Sequence, residues 1–380
     1  MTSNRSANQP SGWQAIIGLS LIMSLALIGD ALLYAVLPLY AESFGLSLPW
    51  VGVMLSVNRL VRVFAYAQLT RVTGLVGVRR MCILAAIMAT LSTAMYGFGQ
   101  GPIVILTARI VWGLTYAVLV LATLSYAVAF RERVGTKVGV AQAIQRLGPI
   151  LALLGGGWLV GVLGPNSTFA LLAIPTALSI LIAYSLPRLE AVVTNASNTQ
   201  SFARPTSIDI VYFLQGYGVD GVFALSITLI LARQGSLSEA VIGGSALLAV
   251  RHFGEAIAAP LFGFIADKAG TLKVFTIAAV LTTCGFIMVA FGFTVSGAII
   301  MLIFRGALAS LGPAVIVNNL EQDQDVISPL ARMHAWRDLG AAIGPLATGF
   351  LLTAVSAEFL HGAVAILLSF TLLYWAKLFR

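Results

Sequence analysis

Charge is scarce in this chain. Lys, Arg, Asp and Glu together make up 9% of its 380 residues, while hydrophobic types make up 59%. A soluble domain carries roughly 25% charged residues, so there is too little charge here to cover a water-facing surface. With a mean hydropathy of +0.96, the composition is that of an integral membrane protein. Cysteine is nearly absent: Cys82 and Cys284 each sit inside an apolar run, as small packing residues rather than a disulfide or a metal pair. The three histidines, His252, His334 and His361, are scattered, and no H-E-x-x-H occurs. That argues against a metal site and against a membrane-embedded enzyme, and no cofactor is expected. No G-x-x-x-x-G-K-[ST] loop occurs either, so the chain is not expected to drive transport with ATP by itself.

What is present is apolar length. A spanning helix needs about 20 apolar residues. Gly, Pro and charged breaks divide the chain into twelve such stretches, over 13–40, 48–70, 78–99, 101–129, 137–163, 167–187, 208–232, 239–266, 272–293, 295–318, 328–355 and 358–378. The first is too long for a signal-peptide core and lacks a small-residue cleavage site, so it reads as a span. The longest break, "RLEAVVTNASNTQSFARPTS", is polar and separates six stretches from six. The expected organisation is a cytoplasmic tail at 1–12, a six-helix bundle at 13–187, a cytoplasmic linker at 188–207 and a second bundle at 208–380. The fold class is all-α, with two six-helix bundles in one membrane.

The net charge of +8 does not point to nucleic acid. With the N-terminus inside, fourteen Lys and Arg fall at inner loops and ends, and only Arg233 at an outer one. This is the bias of a multi-pass protein with both termini cytoplasmic, expected in the inner or plasma membrane.

The two halves resemble each other. "AIQRLGPILALLGGGWL" (143–159) aligns with "AWRDLGAAIGPLATGFL" (335–351) at an offset of 192, setting Arg146 opposite Asp338. Asp30 and Asp220 are 190 apart, and Arg109 and Arg305 are 196 apart. Half the chain is 190 residues. Parallel repeats of this kind enclose a substrate site at their interface.

Twelve helices in two repeats with a polar central linker resemble the major facilitator superfamily. The superfamily's G-x-x-x-D-[RK]-x-G-x-x-[RK] loop signature matches Gly263, Asp267, Lys268, Gly270 and Lys273; in the first half Tyr66 and Thr70 stand where Gly and Asp are expected. "RIVWG" (109–113) resembles its R-x-x-x-G motif, which ties Arg109 to proton coupling in the drug–proton antiporters. The resemblance implies that Asp267–Lys268 acts as a gate, the carboxylate meeting a positive helix end. Gly148–Pro149 is similar to the antiporters' helix-5 element, although Gly155–Gly157 come later than in that pattern.

Seven arginines lie within the spans: Arg59, Arg62, Arg109, Arg146, Arg251, Arg305 and Arg337. The acids are Asp30, Asp209, Asp220, Glu255 and Asp338. Charges in spans are costly and face protein or a wet cavity. Asp30, about seventeen residues into the first stretch, reads either as a substrate or proton site or as half of an ion pair, and Asp220 likewise. Asn58 and Arg62 share a helix face with Arg59 nearby, either to grip a carboxylate or phosphate or to pair with an acid of another helix. Arg251 and Glu255, at i and i+4, can neutralise each other, with His252 as a proton relay. Pro38 is expected to bend the first helix, and Gly148–Pro149 with Gly344–Pro345 to act as hinges, since proline frees a carbonyl and glycine admits a neighbour. Arg337 and Asp338, about 100° apart on a helix, are expected to face different neighbours, with Asp338 at the cytoplasmic side of the cavity either meeting Arg146 across the interface or taking up a proton or substrate.

The expected function is secondary transport of a small organic solute by alternating access, as proton-coupled export. Proton-coupled import of an anionic or zwitterionic molecule is the alternative, and a non-transporting receptor the remote one. The partners expected are the solute, protons and lipid, with no nucleic acid, for a monomer. The substrate and proton pathway is expected to run through Asp30, Asn58, Arg62, Arg109, Arg146, Asp220, Glu255, Arg305 and Asp338.

Overall fold

The computed structural model describes residues 12–129, 134–188, 204–318 and 327–378. The tail to residue 11 and linker residues 189–203 lie outside that set. The described residues form twelve long helices and no strand. The first half holds α1 (Gly12–Val36), α2 (Leu48–Val76), α3 (Val78–Phe98), α4 (Pro102–Ala129), α5 (Val134–Leu163) and α6 (Pro165–Ser185). In the second half, α7 joins Ser207–Gln215, a π-helical segment Gly216–Phe223 and Ala224–Ala232. Helix α8 joins Leu237–Phe253, a π-helical segment Gly254–Ala258 and Ala259–Ala269. Then follow α9 (Thr271–Ala290), α10 (Thr294–Asn318), α11 (Ile327–Leu351) and α12 (Ala357–Leu378).

Among the described residues nine helices are long and apolar enough to cross a membrane. The other three are α2, α10 and α11. Of these, α2 carries Arg59, Arg62 and Arg71, and α11 carries Arg332, Arg337 and Asp338. Their polarity is the cost of presenting charge to the interface between halves.

Pro38 does not bend α1, which ends at Val36. Proline has no N–H and disfavours helical backbone at the residue before it, so the chain turns there instead. The matching turns after α2 and α8 both use glycine with positive φ, Gly77 at 94° and Gly270 at 95°, where a side chain would be strained. The first half therefore keeps the turn although it lacks the acid of the loop signature.

The core is arranged unequally along the membrane normal. At one end the two halves share a single cluster, with Leu32, Val51 and Leu55 packed in continuity with Val219, Phe223 and Leu248. At the other end each half has its own cluster, around Leu19, Ala86 and Tyr126 in one and Val211, Phe275 and Leu311 in the other. The halves thus meet at one end and part at the other. The joint is made by α2 against α11 and α5 against α8. Glycine permits it: a Cβ on Gly349 would lie 2.8 Å from the Cα of Gly52, and one on Gly157 would lie 2.8 Å from the Cβ of Ser245.

Candidate functional site

Two ion pairs occupy equivalent places in the halves. Asp30 of α1 accepts from Arg109 of α4. Asp220 of α7 accepts from Arg305 of α10 at 3.1 Å. Each pair ties the first helix of its half to the fourth.

The first pair lies within one half, with its arginine buried and its acid, 14% exposed, on the wall of the cavity described below. The Arg109 side chain has no exposed surface. Its Nε donates to the Met54 carbonyl at 2.7 Å, and its guanidinium lies 5.7 Å from the centre of the Tyr34 ring. Asp30 is therefore a partner of Arg109 and not an isolated carboxylate.

The second pair belongs to a network. Arg251 of α8 also bonds Asp220, and Arg59 reaches the same carboxylate at 3.6 Å from the opposite half. Glu255 of α8 is met by Arg305 at 2.5 Å, by Arg146 of α5 at 2.8 Å and by Arg251 at 3.5 Å. Four arginines share two carboxylates, and two of those arginines, Arg59 and Arg146, cross from the first half. The expected Arg251–Glu255 contact exists, but neither residue is neutralised by it alone.

Both acids of the network stand in π-helical segments, Asp220 in Gly216–Phe223 and Glu255 in Gly254–Ala258. Such segments recur at functional sites. In α8 the cause is visible in the sequence: Pro260 offers no N–H to the turn before it. In α7, Gly216 and Gly221 let the backbone close on α11, where a Cβ on Gly221 would lie 2.5 Å from the Gly344 carbonyl carbon. The equivalent helices α1 and α2 are α-helical throughout.

The network borders a cavity of about 120 Å³ whose lining includes Asn58, Arg62, Tyr116, Arg146, Arg251 and His252. The Arg62 guanidinium lies 4.4 Å from the centre of the Tyr116 ring. Among the described residues no acid comes within ion-pair distance of it. Exposure rises towards the parted end: the side chains of Arg146, Arg337 and Asp338 are 34%, 38% and 37% exposed, against 4% for Asp220.

Two expectations are corrected here. Asp338 does not meet Arg146, which bonds Glu255 instead. Arg337 and Asp338 do form a pair with each other: the guanidinium folds back, and its Nη2 and Nε approach one carboxylate oxygen at 2.9 and 3.2 Å. A long, flexible arginine arm spans the angular offset that would separate two short side chains. Asp338 still lies within electrostatic reach of Arg62 and Arg59.

Of the other residues singled out, Gly148 packs on α1, its N–H donating to Ser24 Oγ at 2.7 Å, and Pro149 lines the cavity. Gly344 packs on Gly221 of α7, so the two Gly–Pro elements hold corresponding helix pairs. Lys268 lies 4.3 Å from the centre of the Phe264 ring; the Asp267 side chain lies outside the described set. Asp209 is at the start of α7, bonded by Arg332 at 2.7 Å, away from the cavity. Sequence reasoning allowed Arg59 an acid of another helix, which Asp220 is, underrated Arg251, read as a partner of Glu255 alone, and missed the aromatic residues Tyr34, Trp112 and Tyr116. The available signal was spacing: Tyr34 is one turn beyond Asp30, and Tyr116 is two turns beyond Arg109.

This geometry is that of a two-half membrane carrier, and the chain belongs to the major facilitator superfamily, whose sequence model matches residues 19–208. It is a multi-pass secondary transporter of small molecules, not an enzyme. Comparison with curated protein sequences finds no match. Among solved structures it is similar to the nucleoside transporter NupG, as its D323A mutant, at 13% identity and TM-score 0.78, over 96% of this chain and 100% of that one. It is also similar to a bacterial homologue of the human lysosomal transporter Spinster in an inward-facing and occupied conformation, at 16% identity and TM-score 0.72, over 96% of this chain and 93% of that one. At these identities the likeness is one of fold.

Proposed function

We propose that this chain carries a small organic anion, with protons as the coupling ion. One observation carries the reading. Six arginines gather at the interface between halves (Arg59, Arg62, Arg146, Arg251, Arg305 and Arg337) against three acids, Asp220, Glu255 and Asp338, while Arg109 and Asp30 pair within the first half. Three positive charges are left over in a region flanked by lipid. Charge buried in this way is expensive without a counter-ion, and a bound anion supplies one. A guanidinium fork suits carboxylate or phosphate. An acid that surrenders its arginine to the substrate becomes free to take a proton, which links the two movements.

On this reading the Lys/Arg bias makes the parted end cytoplasmic, so the cavity faces inward, with both termini on the same side of an inner or plasma membrane. Substrate binding and release alternate with closure of that end and opening of the Gly52–Gly349 joint. The charge balance supports uptake, because a proton travelling with an anion offsets the opposing membrane potential. Export is supported by a different observation, the Gly148–Pro149 element seated on α1, which resembles the antiporters' helix-5 motif. The chain is taken to act as a monomer.

The test is transport by the full chain in proteoliposomes. Uptake of radiolabelled organic anions, driven by an imposed pH gradient and absent for cations of matched size, is the expected result. Transport of cations but not anions would sink the anion reading, and indifference to the pH gradient would sink proton coupling. Whether expressing cells gain external substrate or lose a preloaded one decides direction.

A further inference from the structure

We propose that the substrate carries two negative charges on a small skeleton. This rests on the anion reading above and narrows it. The surplus of three charges is distributed, not concentrated. One belongs to Arg62, which has an aromatic ring beneath it and, among the described residues, no acid within ion-pair distance. Two belong to the Asp220–Glu255 network, where four arginines share two carboxylates. Arg62 projects from the first half and Arg251 from the second, and both line the same cavity. A single carboxylate can satisfy one of these centres and leaves the other uncompensated. Two charges engage both centres at once, leave one positive charge of the three, and draw the halves together.

Size follows from the cavity. At about 120 Å³ it is well below the roughly 300–1,000 Å³ of pockets that take drug-sized ligands. That suits a short dicarboxylate or a small phosphomonoester and is too little for a drug-sized amphiphile. Neutral polar groups complete the lining. Asn58 is buried with its Oδ1 unbonded, and the His252 Nδ1 is likewise without a partner. The Asn58 Oδ1 can accept from a substrate hydroxyl, and the His252 Nδ1, when it carries the proton, can donate to a phosphate or carboxylate oxygen.

The test uses the purified full chain in detergent, above the second phosphate pKa of about 6. Thermal stabilisation is titrated with succinate, methyl phosphate, butyrate and 1,4-butanediol. We expect at least one of the two dianions to half-saturate at a concentration about tenfold or more below that of butyrate, the worth of one added charge-assisted contact. Arg62→Gln is expected to bring that dianion to within about threefold of butyrate, and Arg62→Lys to restore part of the difference. Succinate superiority marks two separate carboxylates; methyl phosphate superiority marks one doubly charged head. Butyrate equal to both dianions would overturn this inference and leave the anion reading standing. Butanediol matching the anions, or no stabilisation by any anion, would overturn both. A preference for dianions that survives Arg62→Gln unchanged would overturn the role given to Arg62.

Discussion

Asp30–Arg109 and Asp220–Arg305 join the same two helices of their respective halves, yet the first stays within its half and the second is shared across both. Arg109 is buried without exposed surface, with Asp30, the Met54 carbonyl and the Tyr34 face as its surroundings. Arg305 divides itself between Asp220 and Glu255, and both acids also receive an arginine from the other half. The backbone differs in the same sense. Helices α1 and α2 are regular, whereas α7 and α8 carry π-helical segments at the acids. A duplicated unit has thus kept one copy of the pair as a fixed strut and turned the other into a junction between halves. The difference teaches that an intramembrane charge is not by itself a pathway residue; what matters is whether its partners lie within one rigid body or across two.

The comparison breaks first at the strut. Arg109→Met leaves Asp30 buried without its cation, and losing one partner of a buried pair costs about 3–5 kcal/mol. We expect a large fall in melting temperature or loss of monodisperse protein on size exclusion. An unchanged melt would mean that the first pair is not structural. Next comes the junction. In Asp220→Asn or Glu255→Gln the two arginines that reach both acids, Arg251 and Arg305, retain the other one, so the stability loss is expected to be about 1.5–3 kcal/mol, with folded protein recovered and transport lost. Wild-type transport rates in both variants would remove the junction from the mechanism.

The sequence was informative about these charges in proportion to how local their relations are. Composition and apolar length suffice for twelve helices, because lipid leaves the backbone no alternative to internal hydrogen bonding. The repeat offset located Asp30, Asp220, Arg109 and Arg305 as equivalents, because duplicated helices keep their register. Partner choice across helices was not legible. Arg146 bonds Glu255 and not Asp338, a choice set by how α5 packs on α8, and nothing in the local sequence encodes that. Arg337 and Asp338 were misread because an angular rule for side-chain origins ignores the length of an arginine. The π-helical segments were also missed, although Pro260 and the glycines at 216, 218 and 221 mark where helical hydrogen bonding is interrupted or crowded.

The joint between halves offers a third way to sharpen the contrast. Gly52 and Gly349 meet backbone to backbone where α2 crosses α11. Leucine at either position cannot be accommodated without separating the halves at that end. We expect Gly52→Leu to fold, because each half retains its own core, but to favour the opposite opening. A cysteine replacing Val241, which is fully buried near this joint, is expected to be shielded from a membrane-impermeant maleimide in the parent and labelled in the Gly52→Leu background. Equal shielding in both would show that the contact does not hold the closed end.

The smallest effect is expected where an ion pair is neither strut nor junction. Arg233 and Glu358 meet at 3.1 Å with side chains 59% and 30% exposed, linking the end of α7 to the start of α12 at the surface. Water and salt compete for both groups, so such a pair is worth about 0–1 kcal/mol. Arg233→Ala is expected to shift the melting temperature little and to leave transport at the parental rate. The comparison gains from this variant because it sits in the same half as the junction acids and likewise removes one charge of an ion pair. If transport fell as it does for Asp220→Asn, sensitivity to charge removal would be a property of the whole second half, and the distinction between pairs within one body and pairs across two would lose its force. If transport holds, position across the interface is what makes an arginine matter here.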